Sequence, residues 1–376
     1  MAKFSRSWIV LATLVVAASL FLLRDESSVA FAQSTPTSCS TSTSTSTSTS
    51  TSTTSTSIPT STSSSIAFTS VAPAPCPTGA DSSAGSINDL AKQRFNQIIT
   101  NRVLGTVLLG INEQVNCSDC VSAFGSAGSF SAGIHGRKNL TSNLALLAGI
   151  AYTQYSEGGY SVTSAPIGAF ALRYDFTDWG SSRPFFDIGA VLSPFQKVRY
   201  HRSYMTSLGP VSLDSNTTSE NYGAYGRAGW ISRLSPRDEV AALVEVWQLW
   251  QRVKGYSDPT TVAFNPFDAS IASGTDRTSL VKVGGQWTHL FGDSVEANIN
   301  GGFVQSFATR SGIVATVTGD GTVVPTIGNQ GWFEYGGRLG FRITKGWVAD
   351  LFVNGTAGPQ PVGNTIHGGV GLRINY

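Results

Sequence analysis

From about residue 121 onward the chain alternates apolar side chains with polar or small ones at a period of two, which puts each kind on one face of a strand. One row is Leu144, Leu146, Ala148, Ile150 and Tyr152; others are Phe170, Leu172, Tyr174, Phe176 and Phe186, Ile188, Ala190, Leu192. Val281, Val283, Trp287 and Phe291 oppose Lys282, Gly284, Gln286 and Thr288. Phe333, Tyr335, Leu339, Phe341 and Ile343 oppose Glu334, Gly336, Arg338 and Arg342, and the chain ends with Ile366, Val370, Leu372, Ile374 and Tyr376 opposing His367, Gly369, Arg373 and Asn375. Upstream the period changes. Residues 87–116 repeat Ile87, Leu90, Ala91, Phe95, Ile98 and Arg102 at helical spacing, with Ser86 as cap and Asp89 in the first turn. The second half of this helix is apolar on most sides and needs cover on more than one face.

Alternating strands bury their apolar face in a soluble sandwich or present it to lipid in a membrane barrel. Three features favour the barrel. Several segments run to roughly 10–15 residues, longer than the five or six usual in soluble strands. Short turns at 138–143, 235–238, 291–293 and 344–346 alternate with long loops expected at 196–220, 254–276 and 308–330, the asymmetry of outer-membrane barrels. Aromatics gather at strand ends: Tyr174, Phe176, Trp179, Trp230, Trp250, Phe291, Trp347 and Tyr376. About eleven segments are clear, and an even count needs one more. A short strand near residues 118–124, turning at 125–128, supplies it. The expected fold is an all-β membrane barrel of about twelve antiparallel strands, wide enough for one helix.

Composition agrees. Only 13% of the 376 residues are charged, 10% are aromatic, 40 are Gly, and the net charge is +2. This balance gives no reason to expect a nucleic-acid partner. Mean hydropathy is +0.03, far below that of a helical membrane bundle.

The N-terminus speaks to compartment. Lys3 and Arg6 precede an apolar run at 8–23, and Ala30-Phe31-Ala32 offers a cleavage site, so residues 1–32 read as a secretory signal peptide. The Arg24-Asp25-Glu26 cluster keeps an uncleaved anchor as the alternative. Residues 33–86 are a Ser/Thr-rich, then Pro-rich segment with too little apolar surface to offset the entropy of ordering. They read as a disordered linker, stalk or short passenger, and the hydroxyls are O-glycosylation candidates.

Cys39 and Cys76 flank that tract, and Cys117 and Cys120 form C-x-x-C. An exported chain with an even cysteine count reads first as disulfide-bonded, and sequential pairing is the simplest of three connectivities. A redox or zinc reading lacks its helix-opening context and its second ligand pair.

Charges in barrel strands are costly on the lipid side. Lys282, Arg338, Arg342 and Arg373, with Arg227 and Glu245, are therefore expected to line the lumen. Glu245 shares parity with Trp247 and Leu249, which suggests a bulge in the strand at 239–253.

The order of parts (leader, exported segment, helix, about twelve strands, terminal aromatic) resembles the autotransporter translocator domain. The resemblance covers residues 87–376. Residues 130–152 are similar to that family's early hairpin, where a strand ending in Arg137-Lys138 turns into a Leu/Gly/Ala-rich strand ending in Tyr152. The run from Gly368 to Tyr376 is similar to its last strand. The resemblance implies a helix in the lumen and upstream residues carried to the cell surface. It also implies that Tyr376 is an assembly signal read by the barrel assembly machinery, although most members end in Phe.

No enzyme chemistry emerges. Gly292-Asp293-Ser294 resembles a lipase nucleophile block but sits in a tight turn and lacks a downstream Asp-x-x-His. His135, His201, His289 and His367 are scattered without metal-site spacing. There is no Asn-Asn for self-cleavage in the helix, and Glu113 reads as a solvated carboxylate. The sequence predicts no enzyme, metal or cofactor. It predicts a bacterial outer-membrane barrel, in contact with membrane lipid, displaying a short Ser/Thr-rich segment at the surface. The alternative is a porin-like channel or structural envelope protein whose N-terminal segment stays periplasmic.

Overall fold

The computed structural model describes residues 84–110, 119–127, 130–157, 159–206, 209–259 and 265–376. The leader, the Ser/Thr segment, Cys39, Cys76, Cys117 and Glu113 lie outside these residues. Everything described belongs to one compact unit spanning residues 79–376.

A helix, α1 (Ala84–Leu108), precedes the strands. Twelve strands then close into an antiparallel barrel. The first seven are β1 (Cys120–Ala127), β2 (Phe130–Asn139), β3 (Leu144–Glu157), β4 (Tyr160–Asp175), β5 (Ser182–Thr206), β6 (Gly209–Arg233) and β7 (Asp238–Val253). The rest of the wall is β10 (Gly274–Phe291), β11 (Val295–Arg310), β14 (Gly331–Thr344), β15 (Trp347–Ala357) and β16 (Thr365–Asn375). The short strands β8 (Tyr256–Ser257), β9 (Ala269–Ile271), β12 (Ala315–Val317) and β13 (Gly321–Val323) form a separate four-stranded sheet. β1 closes the barrel on β16, with Cys120 opposite Asn375 and Phe124 opposite Gly371.

The alternation seen in the sequence becomes the barrel's two faces. Ile150, Phe170, Ile188, Ile299, Leu351 and Val370 point outward and are exposed, although a soluble protein would bury such side chains. Their neighbours Arg173, Asp187, Arg227, Glu245, Asn298 and Arg373 point inward and are buried. Apolar outside and charged inside is the arrangement of a barrel whose solvent is lipid. Tyr174, Phe176, Trp179, Phe291, Trp347 and Tyr376 are exposed at strand ends or in the adjoining turns, where interfacial rings belong.

The structure corrects several expectations. The helix begins three residues earlier than 87 and its last helical residue is Leu108, with Gly110 beyond it at φ 59°. The first strand extends to Ala127, so Gly125 is a strand residue paired with Val370 and Ala132. Residues 196–220 are not a loop: β5 and β6 carry on as a hairpin, because Val198, Tyr200 and Tyr204 alternate inward against Val211 and Leu213. The spans 254–276 and 308–330 are likewise structured, holding the four-stranded sheet and the first residues of β10 and the last of β11. Their strands of two or three residues are too short for a period to register in sequence.

The suspected bulge in β7 is absent, since β7 pairs with β6 and β10 in unbroken register. Glu245, Trp247, Leu249 and Gln251 all point inward. The apolar pair among them faces the lumen because the lumen holds a helix to pack against.

Candidate functional site

Every residue from Gln93 to Arg102 is buried. At 3.6 residues per turn that run covers all faces of the helix, and only enclosure on all sides produces it. The enclosing wall is the barrel. Phe95, Ile98, Ile99, Leu108 and Leu109 share one apolar cluster with Leu147, Ile167, Val191, Trp247, Leu249 and Trp332 from different strands. Phe95 meets the Trp332 ring edge-on at 6.4 Å. The expected apolar second half thus finds its cover inside the barrel.

Polar helix residues are each matched by the wall. The Arg94 guanidinium bonds Asp276 at 2.6 Å. Gln97 donates to Gln196 at 2.7 Å and to Ser219 at 2.9 Å, and accepts from Tyr200 and Gln251. Gln196 donates to Asn101 at 2.6 Å, and Gln93 donates to the His201 carbonyl at 2.7 Å. Near the middle of the lumen, Arg102 pairs with Glu245 at 2.8 Å and also with Glu334, while it lies 5.3 Å over the Trp247 ring. Lys282 completes the group, 2.9 Å from Glu334. Two carboxylates and two cations there are desolvated together. Such a cluster holds only when every charge is paired.

The N-terminal turns of α1 lie at the end of the barrel that carries the β5–β6 hairpin and the four-stranded sheet. Ile87, Leu90 and Ala91 pack with Val198 and Tyr200 of the hairpin and with Ala269, Ile271, Ile313, Ala315 and Val317 of the sheet and its loops. Arg202 binds Ser86 at 3.3 Å and also pairs with Asp258. The short turns and both barrel-closing termini are at the opposite end.

Below the helix the lumen is filled by further ion pairs. Arg338 contacts Asp350 at 2.9 Å and also Glu296, and Arg373 lies 3.4 Å from Asp350. On the other wall Arg227 pairs with Asp187, and Arg173 with Asp175 at 2.8 Å. Cavities beside the helix, lined among others by His135, Phe124 and Arg338, are about 40, 20 and 10 Å³. Each holds a few waters at most, since one water occupies roughly 30 Å³ of liquid.

Of the residues singled out in the sequence, Lys282, Arg338 and Arg373 are brought into these inward clusters. Arg342 shares their parity but is exposed at the short-turn end of β14, next to a register shift. Glu245 and Arg227 sit in the lumen as well. Cys120 is buried and disulfide-bonded, with its partner outside the described residues. The Tyr376 amide donates to the Asp119 carbonyl at 3.1 Å, and its ring lies 5.3 Å from the Lys138 ammonium. The backbone amide of Asn139, then the Lys138 ammonium, hold the Asp119 carboxyl below its usual value. His135 contacts the Val107 carbonyl, His201 and His289 lie beside Asp214 and Asp238, and His367 is 3.8 Å from Glu157. Gly292-Asp293-Ser294 is the β10–β11 turn, with Gly292 at φ 64°. Among the described residues no His/Cys/Asp/Glu cluster could hold a metal ion. Among the carboxylates opposing the basic residues, the sequence places Glu245 in the lumen and Glu334 on the polar face of its strand, but it singles out none of Asp187, Asp276, Glu296 and Asp350. Their parity within each strand was the available signal, but the partner strand was not.

No family of known proteins matches the sequence, and no curated protein matches it significantly. Several solved structures are similar to this chain at low identity. The translocator domain of the autotransporter NalP from Neisseria meningitidis is 11% identical, with a TM-score of 0.49 over 78% of this chain and 98% of that one. The β domain of the Bordetella autotransporter BrkA is 14% identical, with a TM-score of 0.43 over 69% and 99%. The NanC porin is 7% identical, with a TM-score of 0.36 over 69% and 99%. The closed antiparallel barrel of this chain is established by its own strand pairing.

Proposed function

We propose that this chain is a translocator-type outer-membrane barrel that exposes its Ser/Thr-rich segment, residues 33–86, on the cell surface and keeps α1 in the lumen as a plug. The observation that carries the reading is the direction of α1. Its N-terminal turns are held by Arg202 and the hairpin at the long-loop end, and its C-terminal turn faces the end where β1 and β16 meet. In outer-membrane barrels long loops face outward and short turns face the periplasm. A helix running this way sends whatever precedes it toward the outside. Sealing the lumen with matched charges keeps the membrane tight once the segment has passed.

The test is exposure on intact cells. An epitope is inserted after Gln33 and probed with antibody before and after external protease. Labelling of intact cells that protease removes is expected. Labelling only after the outer membrane is permeabilised would overturn surface display and favour a periplasmic tether.

A further inference from the structure

We propose that Arg277 and Arg310 form a lipid-phosphate site on the outer wall of the barrel, holding the phosphate of an anionic lipid headgroup between their guanidinium groups. The two residues are cross-strand partners on β10 and β11, and both are exposed. Like charges directly opposite each other on a sheet repel. Among the described residues neither side chain has an acidic or hydrogen-bonding partner to relieve that repulsion.

The backbone is bent to bring them together. Ser279 pairs with Phe307, so an unbroken ladder would set Arg277 against Thr309 and turn Arg310 into the lumen. Instead the register shifts between Arg277 and Ser279, and Ala308 takes φ 54°, a left-handed conformation that costs an alanine free energy. Thr309 consequently faces inward, 2.7 Å from Thr278, and Arg310 faces outward beside Arg277. A strained residue that moves an arginine away from the paired charges of the lumen and next to another arginine needs an anion to repay it. The guanidinium fork suits the two or three oxygens of a phosphate.

The height on the wall selects the kind of anion. The outward residues from Phe291 to Val281 climb roughly 26 Å at about 3.4 Å per residue and a tilt near 40°, which matches the ~25 Å apolar band of such barrels. Arg277 lies about 10 Å farther up by the same measure, at headgroup depth. Trp250 on β7 pairs with Arg277 and Phe307 precedes the bulge, so an apolar edge meets the charged pair where acyl chains meet headgroups. Arg252 opposes Thr275 one step above.

The proposal rests on the membrane-barrel reading, and the experiment separates the two. Full-length protein in zwitterionic detergent is titrated with a bisphosphorylated glucosamine lipid and, in parallel, with the same lipid stripped of phosphate. Bound lipid is counted by native mass spectrometry. The phosphorylated lipid should bind about tenfold more tightly. Arg277→Gln with Arg310→Gln should reduce its binding to the level of the stripped lipid, Arg277→Lys with Arg310→Lys should retain part of it, and millimolar inorganic phosphate should not displace it. Equal binding by the Gln variant, equal binding of both lipids, or displacement by inorganic phosphate would each overturn the site. Each variant is first checked for heat-dependent gel mobility. Loss of that shift in the unaltered chain would overturn the barrel reading itself, independently of the lipid result.

Discussion

Gly105 of α1 and Val191 of β5 approach so closely that a Cβ at position 105 would lie 2.5 Å from Val191 Cγ2. A second glycine repeats the device from the wall side, for a Cβ on Gly149 would fall 2.6 Å from the Leu108 carbonyl. The helix is seated by the absence of two side chains as much as by the contacts that others make.

Gly105→Leu should therefore expel or displace the helix while leaving the barrel intact. Overpacking alone costs about 1–3 kcal/mol, and here the rigid wall leaves little room to relax. In planar bilayers the variant should conduct more than the unaltered protein. Unchanged conductance together with an unchanged melting temperature would show that the helix does not sit at this point of the wall.

Removal of residues 84–108 is a more direct form of the same test. With the helix gone, the lumen loses Phe95, Ile98 and Ile99 from its central cluster, and the barrel should open to small ions. Conductance equal to that of the full chain would count against the plug.

Arg102 neutralises two buried carboxylates at once. Arg102→Met should destabilise the folded barrel by about 3–5 kcal/mol, the usual cost of leaving buried charge unpaired. Adding Glu245→Gln to Arg102→Met should recover part of that loss, because it removes one of the stranded charges, while Lys282 still serves Glu334. The midpoint of heat-dependent gel mobility reads both effects. A double variant less stable than the single one would sink this account of the cluster.

A pH effect is expected where the barrel closes. The Asp119 carboxyl is held low by the Asn139 amide and Lys138, so its contribution is fully present above its unfolded value near 3.9 and fades as pH falls through the lower folded value. Amide exchange at Asn139, which donates to Asp119 at 2.7 Å, should quicken over that acid range. Asp119→Asn should show faster exchange already at neutral pH, and a flat profile in the unaltered chain would remove Asp119 from the closure.

The barrel's faces were legible in sequence because lipid outside and charge inside impose a period of two on every strand. Glu245, Trp247 and Leu249 mark where that reading broke down. A mixed row looks like a register fault if the lumen is pictured as water. With a helix inside, one wall position meets Arg102 and the next meets an apolar turn, so both residue types belong there.

The sequence by itself determined that the chain alternates as barrel strands, about twelve once the need for an even count is added, that one helix precedes them, and which charges had to avoid lipid, since these follow from local periodicity, from barrel closure or from the cost of burying charge in hydrocarbon. Tertiary structure alone decided which carboxylate answers each arginine, that residues 254–276 and 308–330 hold a small sheet over the helix, and that one bulge turns Arg310 outward. These depend on pairing between residues as far apart as Arg102 and Glu334. Closure of the barrel fixes those neighbours, and no local pattern along the chain encodes them.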